Sequence, residues 1–130
     1  MASRAEDWLR QAQRDLQHAR DAFDRETFEW AAFAAQQAAE KAVKALYQRL
    51  GAEARGHSVT QLLAALPSGA RPSHDLIETA KELDKHYITP RYPNSYPEGA
   101  PMDFYTRAEA ERAIAGAKRI IEHCKGHILR

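Results

Sequence analysis

Apolar residues recur at spacings of three and four along most of this chain, and that period limits the folds open to it. Near the start of the sequence the recurring set includes Trp8, Ala12, Leu16, Ala19 and Phe23. This spacing places apolar side chains on one face of an α-helix, whereas half-buried strands need alternation with a period of two. The sequence contains no such alternation, no internal repeat and no low-complexity run. The pattern therefore predicts an all-α protein.

Capping residues and helix breakers divide the chain into five predicted helices. They cover about 3–25, 27–50, 58–66, 73–86 and the segment from 106 onwards. Ser3 with Glu6, and Thr106 with Glu109, have the spacing of a capping box. Thr27, Ser58 and Ser73 are further candidate N-caps, and Gly51 is typical of a helix end.

The length and the short connections favour one domain. A chain of 130 residues is long enough for a single buried core, so we expect one domain over residues 1–130. Short links between long helices predict an up-down antiparallel bundle of four to five helices. The apolar stripe of the second helix consists mostly of alanine (Ala31, Ala35, Ala38, Ala42 and Leu46), which allows a neighbouring helix to approach closely.

Residues 87–105 are expected to form one long loop rich in proline and tyrosine. Its prolines are Pro90, Pro93, Pro97 and Pro101, and its aromatic residues are Tyr87, Tyr92, Tyr96, Phe104 and Tyr105. Four prolines forbid a continuous helix there. A flexible linker would not need five aromatic residues, and long loops inside compact domains are often functional or packed as a lid.

Composition excludes several classes of protein. The formal net charge of +1 argues against binding long nucleic acid over the whole surface, so any anion site is local. A single cysteine, Cys124, forms no disulfide within the chain and no thiolate zinc site. No apolar run resembles a signal peptide or a membrane span, and we expect a cytoplasmic protein that has no membrane partner.

The strongest local signal for binding is Arg91, which lies between two prolines and beside Tyr92. An arginine fork binds phosphate in a bidentate manner, and tyrosine faces stack on bases. The candidate nucleotide- or phosphate-binding residues are Arg91, Tyr92, Tyr87, Lys85, Lys41 and Gln37. The alternative for Arg91 is a pair with an internal carboxylate that pins the loop. Glu40 and Lys44 have the spacing of a solvated i, i+4 pair.

No catalytic, metal or cofactor site is assigned from the residues. His123 and His127 are one helical turn apart at the end of the chain, but a third metal ligand is missing from the pattern. His57 and Ser58 are read as the start of the third helix rather than as part of a catalytic triad.

Several segments together resemble small prokaryotic HEPN domain proteins. They are the helix from Trp30 to Leu46, the step Gly56-His57-Ser58, the segment from Leu83 to Pro93, and Tyr105-Thr106 with Glu109-Ala110. The resemblance covers nearly the whole chain. It implies an up-down bundle of four or five helices that often dimerises. Many relatives are encoded beside a minimal nucleotidyltransferase, in two-component or toxin–antitoxin pairs, and the family is associated with nucleotide binding.

Several branches of that family are metal-independent ribonucleases, with an arginine followed by four to six residues and a histidine on the last long helix. Here Arg119 and His123 are separated by three residues, and Arg119 and His127 by seven. Lys81 and His86 have a suitable gap, but lysine replaces arginine and the helix is an earlier one. We therefore carry over no catalytic residues; the missing motif favours a protein without enzymatic activity and leaves a divergent ribonuclease as the alternative.

Three functional hypotheses follow. The first is a dimeric module that binds nucleotide or RNA phosphate and has a nucleotidyltransferase as its partner. The second is a divergent ribonuclease, with His86 or His123 as general base and Arg91 or Arg119 stabilising the developing charge. The third is a structural interaction domain, whose contact face would include Trp8 or Trp30 if either is exposed.

Overall fold

The computed structural model describes residues 3–129, which fold into α-helices and two short 3-10 turns. The α-helices are α1 (Ala5–Asp24), α2 (Phe28–Arg49), α3 (Val59–Ala64), α4 (His74–Asp84), α5 (Pro101–Phe104) and α6 (Arg107–Ile128). The turns cover Thr89–Arg91 and Pro93–Ser95. Within residues 3–129 there is no β-strand, so the all-α prediction is confirmed.

Helix α2 lies at the centre of the bundle, packed against α1 and α6. Its alanines Ala35, Ala38, Ala39 and Ala42 have no exposed surface. Because these side chains are small, the neighbouring helices approach α2 closely and bury it on nearly every side. The larger buried side chains around it include Leu46, Leu63, Leu66, Leu83 and Ile120. Each contributes about 1.5–3 kcal/mol relative to an exposed position.

Helices α3 and α4 cover one side of this core. Helix α3 contacts α2 and α4, and α4 contacts α3 and α6. The outer faces of the bundle are charged, and among the helices that residues 3–129 form, none is long and apolar enough to cross a membrane. The up-down bundle expected from the sequence is therefore present, with α3 and α4 as a second, shorter helical pair.

Most of the predicted helix termini, at the start or at the end of a helix, are confirmed. Ser58 accepts a hydrogen bond from the Gln61 amide at 3.1 Å, and Ser73 accepts one from the Leu76 amide at 3.4 Å. Thr106 and Glu109 form the predicted capping box. Helix α2 ends just before Gly51, which has a φ of +69°.

Two predicted side-chain caps do not form, although α2 does begin directly after Thr27 as expected. Helix α1 begins at Ala5, and the Ser3 hydroxyl accepts from the Ala5 amide only two residues away, so the predicted box with Glu6 does not form. The Thr27 hydroxyl does not cap α2; it donates to the Ala22 carbonyl at the end of α1. Glu26 adopts the left-handed conformation that closes this turn, with a φ of +62°.

The predicted long loop contains more local structure than expected, since α5 and both 3-10 turns fall inside residues 87–105. Pro93 and Pro101 each begin one of these elements and Pro90 is the second residue of another, because the fixed φ of proline suits the first turn of a helix. Tyr96 and Phe104 stack with ring centroids 4.3 Å apart, and Tyr105 is buried. The aromatic residues therefore pack the segment onto itself and onto the bundle.

Gly116 of α6 packs directly against Thr79 and Leu83 of α4, and it supplies the first test. A Cβ at Gly116 would lie 2.7 Å from Thr79 Cγ2. We expect Gly116→Ala to lower the free energy of unfolding by about 1 kcal/mol, because overpacking of about 1–3 kcal/mol exceeds the gain in helix propensity.

The control is the same substitution in a Thr79→Ser background, which removes the clashing methyl group and keeps the hydroxyl. There Gly116→Ala should be neutral or stabilising by up to about 1 kcal/mol in urea denaturation. Equal effects in both backgrounds would show that this contact does not limit the approach of the helices.

Candidate functional site

A buried carboxylate on α2 organises the most polar part of the interior. Glu40 is 5% exposed. It accepts hydrogen bonds from Gln36 Nε2 and from Lys44 Nζ, each at 3.1 Å. His57 Nδ1 lies 3.1 Å from the same carboxylate. The expectation that Glu40 and Lys44 form a solvated surface pair is wrong, because their side chains are only 7% and 16% exposed.

His57 is held by this carboxylate while its ring remains accessible. Because a carboxylate only accepts hydrogen bonds, the contact with Glu40 places a proton on Nδ1 and fixes the ring orientation. The imidazole stacks on the Tyr87 ring, with centroids 4.5 Å apart and planes inclined by 17°. The side chain is 53% exposed, and Nε2 has no hydrogen-bond partner among residues 3–129. His57 thus presents one free nitrogen to solvent.

Asp84, at the end of α4, secures the segment that carries His57. Its carboxylate accepts from the Val59 amide at 2.7 Å, from the Thr60 amide at 3.2 Å and from the Ser58 hydroxyl at 2.9 Å. These donors are at the N-terminus of α3, where unpaired amides favour a negative charge. Asp84 therefore joins α4 to α3 immediately after His57.

Arg91 lies against three aromatic rings. Its Cζ is 4.6 Å from the ring centroid of Phe33, 4.8 Å from that of Tyr87 and 5.3 Å from that of Tyr92. Its Nε donates to the Tyr87 carbonyl at 2.7 Å. The side chain is half-buried, and none of the ion pairs found between residues 3 and 129 includes it. Arg91 thus pins its loop through rings and a carbonyl rather than through a carboxylate.

We use the name Arg91 cluster for Phe33, Glu40, Lys44, His57, Tyr87, Arg91 and Tyr92. Of the residues predicted from the sequence, Arg91, Tyr87 and Tyr92 come together in it. Gln37 lies beside its buried end and donates to Gln36 Oε1 at 2.8 Å. Lys41 instead pairs with Asp15 of α1, and Lys85 lines a different pocket.

Phe33, Glu40, Lys44 and His57 were missed as site residues. The available signal was the i, i+4 series Gln36, Glu40, Lys44 inside an alanine-rich helix, since polar residues among buried alanines need partners of their own. Nothing in the spacing shows that His57, seventeen positions later, supplies one of them.

The pocket that holds Lys85 has a volume of about 140 Å³ and lies between α4 and α6. It is lined by Thr79, Glu82, Leu83, Lys85, His86, Glu109, Arg112 and Ala113. His86 Nδ1 is hydrogen bonded to the Tyr105 hydroxyl at 2.8 Å. Burial lowers the pKa of His86, and the charges of Arg112 and Lys85 lower it further against the opposing effect of Glu109 and Glu82.

Two residues of the ribonuclease hypothesis, Arg119 and His123, lie in α6 and have structural partners outside that helix. Arg119 pairs with Asp75 of α4 at 2.7 Å, and His123 Nε2 lies 2.7 Å from the Ala70 carbonyl. The rings of His123 and His127 are 4.7 Å apart. In the part of the chain between residues 3 and 129, no group of three histidine, cysteine or acidic residues is arranged to hold a metal ion. Arg119 and His123 therefore tie α6 to its neighbours.

Comparison with known proteins decides the family. A model of the HEPN domain matches residues 5–127. The chain belongs to the HEPN family. A crystal structure of TT1696 from Thermus thermophilus is 45% identical, with a TM-score of 0.94 over 97% of this chain and 99% of that chain.

Two solved structures of HEPN proteins agree with this assignment, and one curated relative is also similar to the chain. The archaeal HEPN homologue ST0689 is 45% identical, with a TM-score of 0.82 over 98% of this chain and 99% of its own. An HEPN domain protein of Thermotoga maritima is 40% identical, with a TM-score of 0.78 over 95% and 98%. "Putative toxin MJ1304" of Methanocaldococcus jannaschii is 27% identical, over 91% of this chain and 84% of that protein.

The contacts of Asp84 in this HEPN chain predict a measurable loss of stability. Asp84→Asn keeps the shape of the side chain but removes its negative charge. It also leaves a single acceptor oxygen for the three donors. We expect the free energy of unfolding to fall by about 1–3 kcal/mol. The matched control is Glu78→Gln on the exposed face of α4, which should change it by less than about 0.5 kcal/mol. Similar values for both variants would contradict the role of Asp84.

The position of His86 predicts how stability depends on pH. Because the pKa of His86 is lowered in the folded state below the ordinary value of 6.5, the unfolded chain binds the proton more readily. The free energy of unfolding should therefore fall as the pH is lowered from about 6.5. His86→Gln should show a shallower fall, whereas His74→Gln, at an exposed position, should keep the wild-type slope. An unchanged slope in His86→Gln would contradict this.

Proposed function

We propose that this protein binds a nucleotide or RNA through its phosphate at the Arg91 cluster. The observation that carries the proposal is the half-buried guanidinium of Arg91, which lies against three rings and pairs with no carboxylate among residues 3–129. A cation withdrawn from water is normally paired with an anion. Here the rings offset part of the lost hydration, but they do not neutralise the charge.

The orientation of Arg91 suits phosphate recognition. Its Nε is occupied by the Tyr87 carbonyl, at 2.7 Å, which fixes the plane of the guanidinium. The two terminal nitrogens have no hydrogen-bond partner within residues 3–129, and together they form the fork that binds two phosphate oxygens. The overall charge of +1 fits a local site of this kind rather than an extended basic surface.

Aromatic side chains beside the fork are suited to bases. Tyr92 and Trp30 are each 48% exposed, and Trp30 contacts Phe33 with centroids 6.2 Å apart. Bases stack on such faces with little dependence on sequence, at about 1–3 kcal/mol per base. A phosphate on Arg91 with a base on Tyr92 or Trp30 is thus the binding mode that these residues support.

We further propose that the protein acts as a homodimer with a nucleotidyltransferase partner, in a two-component or toxin–antitoxin system. The support is the family match over residues 5–127 and the similarity to an archaeal protein named as a toxin. Light scattering should give about twice the chain mass of 14.7 kDa. A monomeric mass at micromolar concentration would remove the homodimer from this proposal.

The decisive measurement is thermal unfolding in the presence of mononucleotides, trinucleotides and a short RNA. A ligand at 100 times its Kd should raise the free energy of unfolding of the wild type by about 2.7 kcal/mol. Arg91→Lys keeps a positive charge but loses the planar fork, and we expect it to lose most of this gain.

The matched control is Arg14→Ala, which removes an exposed arginine of α1 and should leave the gain unchanged. Unfolding without ligand shows whether each variant is folded. Equal gains for wild type and Arg91→Lys would place the binding site elsewhere. No gain with any ligand would favour the structural interaction domain.

A further inference from the structure

We infer that a groove beside the Arg91 cluster holds a second, unpaired base of the ligand, so that the protein binds single-stranded RNA more tightly than an isolated nucleotide or a duplex. The inference rests on the proposed function, because it extends the ligand beyond the nucleotide whose phosphate lies on Arg91. The groove lies where α1 passes into α2 and has a volume of about 740 Å³. We call it the turn groove; it is lined by His18, Asp21, Ala22, Asp24, Arg25, Thr27 and Trp30.

Trp30 connects the turn groove to the Arg91 cluster. Its indole lines the groove and also meets the Phe33 ring, with centroids 6.2 Å apart and planes inclined by 79°. The same Phe33 ring contacts Arg91, whose Cζ lies 4.6 Å from the ring centroid. A single ring therefore separates the guanidinium of Arg91 from the indole of Trp30, and adjacent nucleotides of one strand can span such a step.

The indole of Trp30 is available for stacking. Its edge-to-face contact with Phe33 covers at most one face of the indole, and the residue is 48% exposed. Aromatic side chains stack on any base, because every base has a π-face. The volume of the groove also lies within the range of about 300–1,000 Å³ that is usual for small-molecule sites. The turn groove therefore has both the surface and the room for a base.

The charges of the turn groove decide which part of a nucleotide it takes. Its lining includes two carboxylates, of Asp21 and Asp24, and one guanidinium, of Arg25. A phosphate there would meet more negative than positive charge, and like charges repel. A base is uncharged and has N–H groups from which carboxylates accept hydrogen bonds. The phosphate therefore stays on Arg91, and the base of the next nucleotide lies in the groove.

This arrangement favours unpaired RNA over a duplex. Bases inside a duplex are paired at their edges and stacked on both faces, so none can lie on Trp30 without leaving the helix. Recognition of a duplex by its shape would instead need many contacts to its phosphates, and the net charge of the chain is only +1. The ligand class that fits the two neighbouring sites is therefore a single-stranded segment.

The first test is spectroscopic and uses the fact that the chain has only two tryptophans, Trp8 and Trp30. Trp8→Phe keeps an aromatic residue at a half-buried position and leaves Trp30 as the only source of tryptophan fluorescence. This full-length variant is titrated with adenosine 5′-monophosphate, with triadenylate RNA and with the same trinucleotide backbone without bases. We expect only triadenylate to quench the emission of Trp30, because only this ligand brings a second base.

The second test is affinity, measured by calorimetric titration. The wild type should bind triadenylate at least about tenfold more tightly than adenosine 5′-monophosphate, since one further stacked base contributes an effect of that order. Trp30→Ala should lose this preference and keep the wild-type affinity for the mononucleotide, whereas Trp30→Phe should keep most of the preference.

The matched control is Leu50→Ala, which removes an exposed apolar side chain at the opposite end of α2 and should behave as wild type. Thermal unfolding without ligand shows whether each variant is folded. A blunt-ended RNA duplex, added as a competitor, should displace triadenylate at least about tenfold less effectively than unlabelled triadenylate does.

Equal wild-type affinity for triadenylate and the mononucleotide would overturn the inference and leave the proposed function standing. A preference that survives in Trp30→Ala would place the second base elsewhere and would also overturn it. Quenching of Trp30 by the mononucleotide, or weaker mononucleotide binding in Trp30→Ala, would make Trp30 part of the first site, with the same consequence. Equal competition by the duplex would remove the selection of unpaired RNA. Binding of none of these ligands would overturn both the inference and the proposed function.

Discussion

The site depends on one buried negative charge. Glu40 lies in the most deeply buried helix of the bundle, and a carboxylate there is stable only when donors surround it. Gln36 and Lys44 come from the same helix, but His57 comes from a separate segment and must be brought to it. A buried acceptor that loses one of its donors typically costs about 1–3 kcal/mol, so the folded state favours keeping the His57 segment against α2.

This constraint extends outwards through a series of contacts. Asp84 secures the start of α3, which directly follows His57, and Tyr87 stacks on the His57 ring. Arg91 then lies on Tyr87 and donates to its carbonyl. The proline-rich segment is thus connected to the core through His57, and the terminal nitrogens of Arg91 are held on a rigid support. Fixed donors bind an anion without a further cost of ordering.

The alanine-rich surface of α2 explains why a charged network fits inside so small a bundle. Small side chains such as Ala35 and Ala39 allow helices to pack closely on most of α2. The longer side chains of Gln36, Glu40 and Lys44 then fill the remaining space beside α3. The same helix therefore serves both the apolar core and the polar site, on different faces.

The sequence by itself determined the helices, because apolar period, caps and breakers act within a few residues of one another. Ser58, Ser73 and Thr106 cap helices as predicted, and the resemblance to HEPN proteins agrees with the family found by comparison. Glu26 was not recognisable as a helix-ending residue, because that position usually holds glycine.

Tertiary structure alone decided which polar residues meet. Lys41 is one position from Glu40 but turns towards Asp15 of α1, whereas His57 is seventeen positions away and touches Glu40. The physical reason is that adjacent residues on a helix face in different directions, and that the partner of a buried charge is set by packing rather than by distance along the chain.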